Sequence, residues 1–142
     1  MQYVAKSLLD LSWYNDVEDI ENGVFMISCG VLGFFKKSQI KQFFSSLADN
    51  FSGGELVFDV ASTLGNLISN WGLRLSGMKK ATTKWTLKDA NKLTNWDNRI
   101  KAIDQSPYFK NSPRDPASGI QIERWMDFFD KSKMFNILHV RV

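Results

Sequence analysis

Cysteine and histidine are nearly absent: Cys29 and His139 are the only ones in 142 residues. One thiol closes no internal disulfide, so nothing calls for an oxidising compartment, and the expected setting is the cytoplasm. One histidine and one cysteine make no zinc set, and they stand too far apart in sequence to argue a catalytic dyad, so no metal is expected. His139 shares an alternating face with Phe135 and Ile137 and reads as a structural histidine; Cys29 reads as a small apolar residue at a strand end. Long apolar runs are missing too. The longest uncharged one, Val24 to Phe35, is too short to cross a hydrocarbon core and contains Gly30 and Gly33, so no membrane span is expected. The opening MQYVAKSLLDLSW lacks the basic leader and small-residue cleavage site of a signal peptide. The only prolines, Pro107, Pro113 and Pro116, fall between Ser106 and Ser118, which marks a surface loop there. Glycine loops of the forms G-x-x-x-x-G-K-S/T and G-x-G-x-x-G, which cradle phosphates, do not occur.

What is present is material for a core. With 44% hydrophobic residues, 11 Phe and 5 Trp, residues 1–142 suit a single domain and leave little room for wholesale disorder. The net charge of +3 hides an asymmetry: residues 1–62 carry 4 basic and 8 acidic side chains, residues 63–142 carry 14 basic and 7 acidic. A basic half can mark a nucleic-acid surface. Here its Lys and Arg are scattered singly among apolar residues, with only Lys79 and Lys80 adjacent. That pattern reads as solvated helix faces, and no nucleic-acid partner is expected.

Along the chain, Tyr3 to Leu9 reads as a short strand, although its spacing also permits a helical turn. Asn15 to Gly23 is an acidic, turn-rich connector. Val24 to Ile27 is nearly continuous in apolar character, as in a strand covered on both faces of a parallel sheet. Ile40, Phe43, Phe44, Leu47 and Phe51 then fall on one stripe of an amphipathic helix, with Ser38 as its cap and Gly53-Gly54 as its stop. Glu55 to Asp59 is the next strand. Strand, helix, strand with short connections makes a βαβ unit whose two strands run parallel. Leu64, Leu67, Ile68, Trp71, Leu75 and Met78 predict a second helix ending near Gly77, weakened by about 1 kcal/mol at each of Gly65 and Gly72. Thr86-Leu-Lys-Asp89 resembles a capping box opening a short helix through Leu93. Ile100 to Ile103 reads as a strand, Ser118 onward as a helix through Ile122, Trp125, Met126 and Phe129, and Phe135 to Val142 as a last strand.

In open α/β sheets, ligands sit beyond the carboxyl ends of the strands. The candidates there are Asp10, the Ser28-Cys29-Gly30 segment, and Asp59 with Ser62. Taken singly, each acid reads as a helix cap or turn residue ahead of a ligand contact.

The order of blocks carries more. SLLDLSW (Ser7 to Trp13), VFMISCGVLGFF (from Val24), the helix, and NFSGGELVFDVAS (Asn50 to Ser62) together resemble the leucine carboxyl methyltransferase-like family. Its members are class I S-adenosylmethionine-dependent O-methyltransferases, including those of polyketide biosynthesis. KWTLKDANKLTNW, IKAIDQSPYF and ILHVRV look like that family's carboxyl-terminal end, and FSGGELVFD is the most specific block. The resemblance implies a Rossmann-like α/β fold in its carboxyl-terminal half: a partial parallel sheet, flanking helices and an antiparallel last strand. It places Asp10 near the adenine of the cofactor, with Leu9 and Leu11 beside it. It puts Cys29 and Gly30 at the cofactor's edge, and Phe34 and Asp59 toward the substrate. The family's E-G-x-x-x-Y pattern departs here, with Cys29 for the Glu and Phe34 for the Tyr, so an acid facing the cofactor's ammonium group and an orienting phenol are both replaced. The family's two opening strands and glycine-rich cofactor loop do not precede Met1.

The resemblance therefore implies methyl transfer from S-adenosylmethionine to an oxygen of a carboxylate or hydroxyl, on a small molecule or protein, with binding by this chain alone expected to be weak. The alternative is a non-catalytic, degenerate methyltransferase-like protein that completes its sheet as a homodimer or on another chain, because missing strands leave an unpaired edge.

Overall fold

The computed structural model describes residues 3–113 and 119–142. Its strands are β1 (Phe25–Ser28), β2 (Glu55–Ala61), β3 (Lys101–Pro107) and β4 (Phe135–Arg141). Its helices are α1 (Lys37–Asn50), α2 (Thr63–Leu75) and α3 (Ile120–Ser132), in the chain order β1-α1-β2-α2-β3-α3-β4.

The α1 stripe does what its spacing predicts: Ile40, Phe43, Phe44, Leu47 and Phe51 are all buried. The helix begins earlier than Ser38, because the Gln39 side chain reaches back and accepts from the Lys36 amide at 2.9 Å, which draws Ser38 into the first turn. At its other end the chain folds over at once, with the Gly54 amide donating to the Phe51 carbonyl at 2.8 Å. β2 then alternates, burying Leu56, Phe58 and Val60 beneath α1. The Phe44 ring meets Phe58 edge-on at 5.4 Å and Trp96 at 6.2 Å. Each such buried aromatic contributes about 2 kcal/mol through area removed from water.

The sheet order is β1-β2-β4-β3. β1 and β2 are parallel, Phe25 facing Glu55 and Ser28 facing Phe58. β4 runs antiparallel to β2 on one side and to β3 on the other. β1, β2 and β3 therefore point one way, and the last strand is inserted between β2 and β3 in the opposite sense. This is the expected α/β, Rossmann-like, methyltransferase-like arrangement.

Only one face of the sheet is well covered. On the other, Phe25 and Ile27 are 61% and 73% exposed, so β1 is open where the sequence suggested cover on both faces. Glu55 on that face pairs with His139 at 2.8 Å and Arg141 at 2.7 Å, and those hydrogen bonds, Arg141's first, hold its carboxyl below the usual range. α2 likewise turns apolar side chains to solvent, with Leu67, Trp71 and Leu75 each 65–69% exposed.

Other expectations need correction. Tyr3 to Leu9 forms no strand: the Asp10 amide closes a turn on the Ser7 carbonyl, and the Asp10 carboxylate caps the 3-10 turn over Leu11–Asp16 that follows, so the segment satisfies its backbone locally. The Asn15 to Gly23 connector contains a 3-10 turn at Ile20–Asn22. The short helix near Thr86 is a 3-10 turn at Ala90–Asn95 capped by Asp89, whose carboxylate accepts from the Asn91 amide at 2.9 Å. β3 begins at Lys101 and continues past Ile103 to Pro107, paired with β4 on either side of a bulge at Ile103. Ser118 and Pro116, assigned to a helix cap and a loop, lie outside the described residues.

The two glycines of α2 are not equivalent. A Cβ at Gly65 would overlap the Met134 carbonyl, whereas one at Gly72 meets nothing. Gly65→Ala is expected to destabilise the chain by about 1–3 kcal/mol through that overlap. Gly72→Ala should stabilise it by up to about 1 kcal/mol. Urea denaturation of the two variants checks both signs.

Candidate functional site

The carboxyl ends of β1 and β2 are tied together by one charged hydrogen bond. Directly after β1 the chain turns at Gly30, whose φ of +66° suits glycine, and its amide donates to the Asp59 carboxylate at 2.6 Å. Asp59 belongs to β2, so a single acid closes the gap between the two strand ends.

The next wall comes from much later in the chain. The Lys84 amide donates to the Gly33 carbonyl at 2.7 Å, and the Trp85 indole donates to the buried Leu32 carbonyl at 2.7 Å. Thr83 is fastened to α2 as well: its amide donates to the Asn70 side chain at 2.8 Å, Asn70 returns a bond to the Thr83 carbonyl at 3.0 Å, and the Thr83 hydroxyl bonds Asn66. These contacts enclose a cavity of about 170 Å³ lined by Gly30, Phe34, Asp59, Thr83 and Trp85, among others.

Three of the residues singled out in the sequence, Gly30, Phe34 and Asp59, thus share one cavity, and Cys29 stands exposed at its rim. Beside Cys29 lies Tyr108, just past the carboxyl end of β3. Its phenol is pushed above its ordinary range, first by the neighbouring Cys29 and then by burial, with Asp59 adding to the effect. Sequence reasoning missed Tyr108, although it follows Pro107 at a strand's carboxyl end, the position that recommended the others. It also missed Thr83 and Trp85, which reach the cavity through hydrogen bonds that no local pattern encodes.

Asp10, Leu9 and Leu11 are elsewhere. The Asp10 carboxylate accepts from the Ser12 amide at 3.1 Å, and its bonds with Ser12 hold it below the usual carboxylate range. Leu9 packs against the core and Leu11 is exposed. In the same turn Trp13 stacks on Phe51 at 5.9 Å, beside the carboxyl end of α1, whereas Gly30 and Phe34 precede its amino end. A helix of 14 residues spans about 20 Å, so these three residues are not gathered with the Cys29–Asp59 rim.

The residues present do not fit a whole S-adenosylmethionine. The cavity is smaller than the roughly 300 Å³ at which ligand pockets begin, and its carboxylate is already engaged by the Gly30 amide. At Cys29 there is no acid for an ammonium group. At most this rim is one side of a larger site.

No protein-family model matches the chain, and no curated protein matches it in sequence. Its fold is similar to that of a DUF574 family protein from Streptomyces avermitilis, with a TM-score of 0.65 at 12% identity, over 98% of this chain and 54% of that one. This chain therefore spans about half the length of that structural relative.

The link between the strand ends has a measurable worth. Asp59→Ala is expected to lower stability by about 1 kcal/mol by leaving the Gly30 amide without its acceptor, and Asp59→Asn, which keeps an oxygen there, by less. Denaturation curves, with the Gly30 amide proton shift as a local reporter, check the order.

Proposed function

We propose that this chain supplies the carboxyl-side rim of an S-adenosylmethionine-dependent O-methyltransferase, and that the glycine-rich cofactor loop lies outside these 142 residues. The observation that carries this reading is the open edge of β1. The strand pairs with β2 on one side only, and its Phe25 and Ile27 are bare beside that edge. The similarity to a solved structure nearly twice as long supports the same reading. In this proposal Cys29 and Gly30 face the cofactor, Phe34 forms an apolar wall toward the acceptor, and Asp59 keeps the Gly30 turn in place. Transfer of a methyl group to a carboxylate or hydroxyl oxygen asks the protein mainly for alignment and exclusion of water, which such a rim can provide.

The same bare edge favours a second reading, in which a second copy or another protein completes the sheet and no chemistry follows. Cofactor binding separates the two.

For the 142-residue chain alone, calorimetry should show no low-micromolar binding of S-adenosylmethionine, since several charged and backbone hydrogen bonds at roughly 0.5–3 kcal/mol each are missing. Fused behind a methyltransferase amino-terminal half that carries a glycine-rich loop, the chain should bind, and Cys29→Glu should tighten binding by about tenfold by restoring a partner for the ammonium group. Asp10→Ala in the fusion tests whether Asp10, with Leu9 and Leu11, faces the adenine or only caps its turn. A fusion that folds with an unchanged melting temperature, yet binds identically with and without the Cys29 change, would show that this rim does not face the cofactor.

A further inference from the structure

A cavity of about 740 Å³ lies away from the Cys29–Asp59 rim and shares no lining residue with the smaller cavity there. It opens where β2 passes into α2, and its walls hold Lys88, Lys92, Lys131 and Lys133. Lys88 precedes the 3-10 turn at Ala90–Asn95 and Lys92 lies within it, and Lys131 and Lys133 end α3, so two segments some forty residues apart in the chain each contribute two ammonium groups. A smaller cavity of about 270 Å³ continues it past Lys88 and Lys133.

The charges there are unbalanced. None of the four lysines joins an ion pair among the described residues. The one acid in the lining, Asp89, turns one carboxylate oxygen to the Asn91 amide at 2.9 Å and the Asn91 side chain at 3.1 Å, and its single charge leaves the four ammonium groups in excess. Four like charges around one cleft repel one another, a cost that an anionic occupant removes. The floor beneath them is fixed. The Gln105 side chain accepts from the Ala90 amide at 2.9 Å and donates to the Lys88 carbonyl at 3.0 Å, which pins the lysine-bearing turn to β3. On the opposite wall Ser62 caps α2 by accepting from the Gly65 amide at 3.2 Å, while the Thr63 and Leu64 amides have no acceptor within their helix.

The lining also says what kind of anion fits. It contains four lysines and no arginine, so it offers separate point charges, which a compound carrying several phosphate groups can meet with oxygens spread over more than one of them. It contains no aromatic ring, so a nucleobase finds nothing to stack on. The volume lies within the range of small-molecule sites. We propose that this cleft binds a small, non-aromatic compound carrying two or more phosphate groups, such as a phosphorylated sugar or polyol or an inorganic polyphosphate. The proposal is independent of the methyltransferase reading.

The test is calorimetric titration of the full 142-residue chain with inorganic tripolyphosphate and, in parallel, with a hexose bisphosphate. Saturable one-site binding is expected, weakened about tenfold or more in Lys92→Ala/Lys133→Ala and changed less than about twofold in Lys79→Ala/Lys80→Ala, which removes the same charge elsewhere. Whichever probe binds more tightly identifies the source of the phosphates. Thermal melts without ligand establish that both variants fold, and Lys92→Gln replaces the first pair if it does not. Absence of saturable binding to either probe overturns the proposal. So does equal weakening by both double variants, or citrate binding as tightly as tripolyphosphate. A single-stranded oligonucleotide that binds more tightly than either probe through Lys92 and Lys133 would also overturn it, in favour of a nucleic-acid face.

Discussion

β2 pairs along all seven residues with antiparallel β4 and, over Glu55 to Phe58, with parallel β1 on its other side, and meeting that backbone demand places most of what matters in the molecule. Its amino end holds Glu55 against His139 and Arg141 of β4. Its inward side chains, Leu56, Phe58 and Val60, form the floor on which α1 lies. Its carboxyl end carries Asp59, which reaches Gly30 after β1, and the chain then passes through Ser62 into α2. The rim and the lysine cleft both begin at that end, where the parallel strand ends of an α/β sheet customarily receive ligands.

The fold leaves one demand unmet. β1 is an edge strand with a parallel neighbour on one side only, and the face carrying Phe25 and Ile27 lacks a covering layer. Flat apolar edges are sites of pairing with another chain, and exposed apolar surface of this kind marks an interface. The structural relative that matches 98% of this chain uses only 54% of its own length to do so. The exposed Leu67, Trp71 and Leu75 of α2 add a second apolar surface.

Much of the architecture could be read from sequence because it rests on local periodicity. The Ile40-to-Phe51 stripe and the short apolar runs on either side specified a βαβ unit, and the alternation after Phe135 specified the last strand. What could not be read depends on distant partners. Tyr3 to Leu9 has strand-like composition but folds into turns that Ser7 and Asp10 close. The α2 stripe has helical spacing, which says that a face is apolar and not whether anything covers it. Gly30 and Asp59 were found by their place at strand ends and Phe34 through the resemblance, and Tyr108, placed by the strand-end rule after β3, was overlooked. Asp10, named by both routes, caps a turn by the far end of α1. The lysines looked scattered because Lys88 and Lys92 meet Lys131 and Lys133 only once β3 and α3 have formed.

Amide hydrogen exchange tests the central claim, an incomplete sheet with β1 as its open edge, most directly. In the isolated chain the amides of Phe25–Ser28 should exchange at least about a hundredfold faster than those of Leu56–Val60, and slow toward the latter when a complementing half is supplied. Protection of β1 equal to that of β2 in the monomeric chain, with no change on adding such a half, would contradict the account.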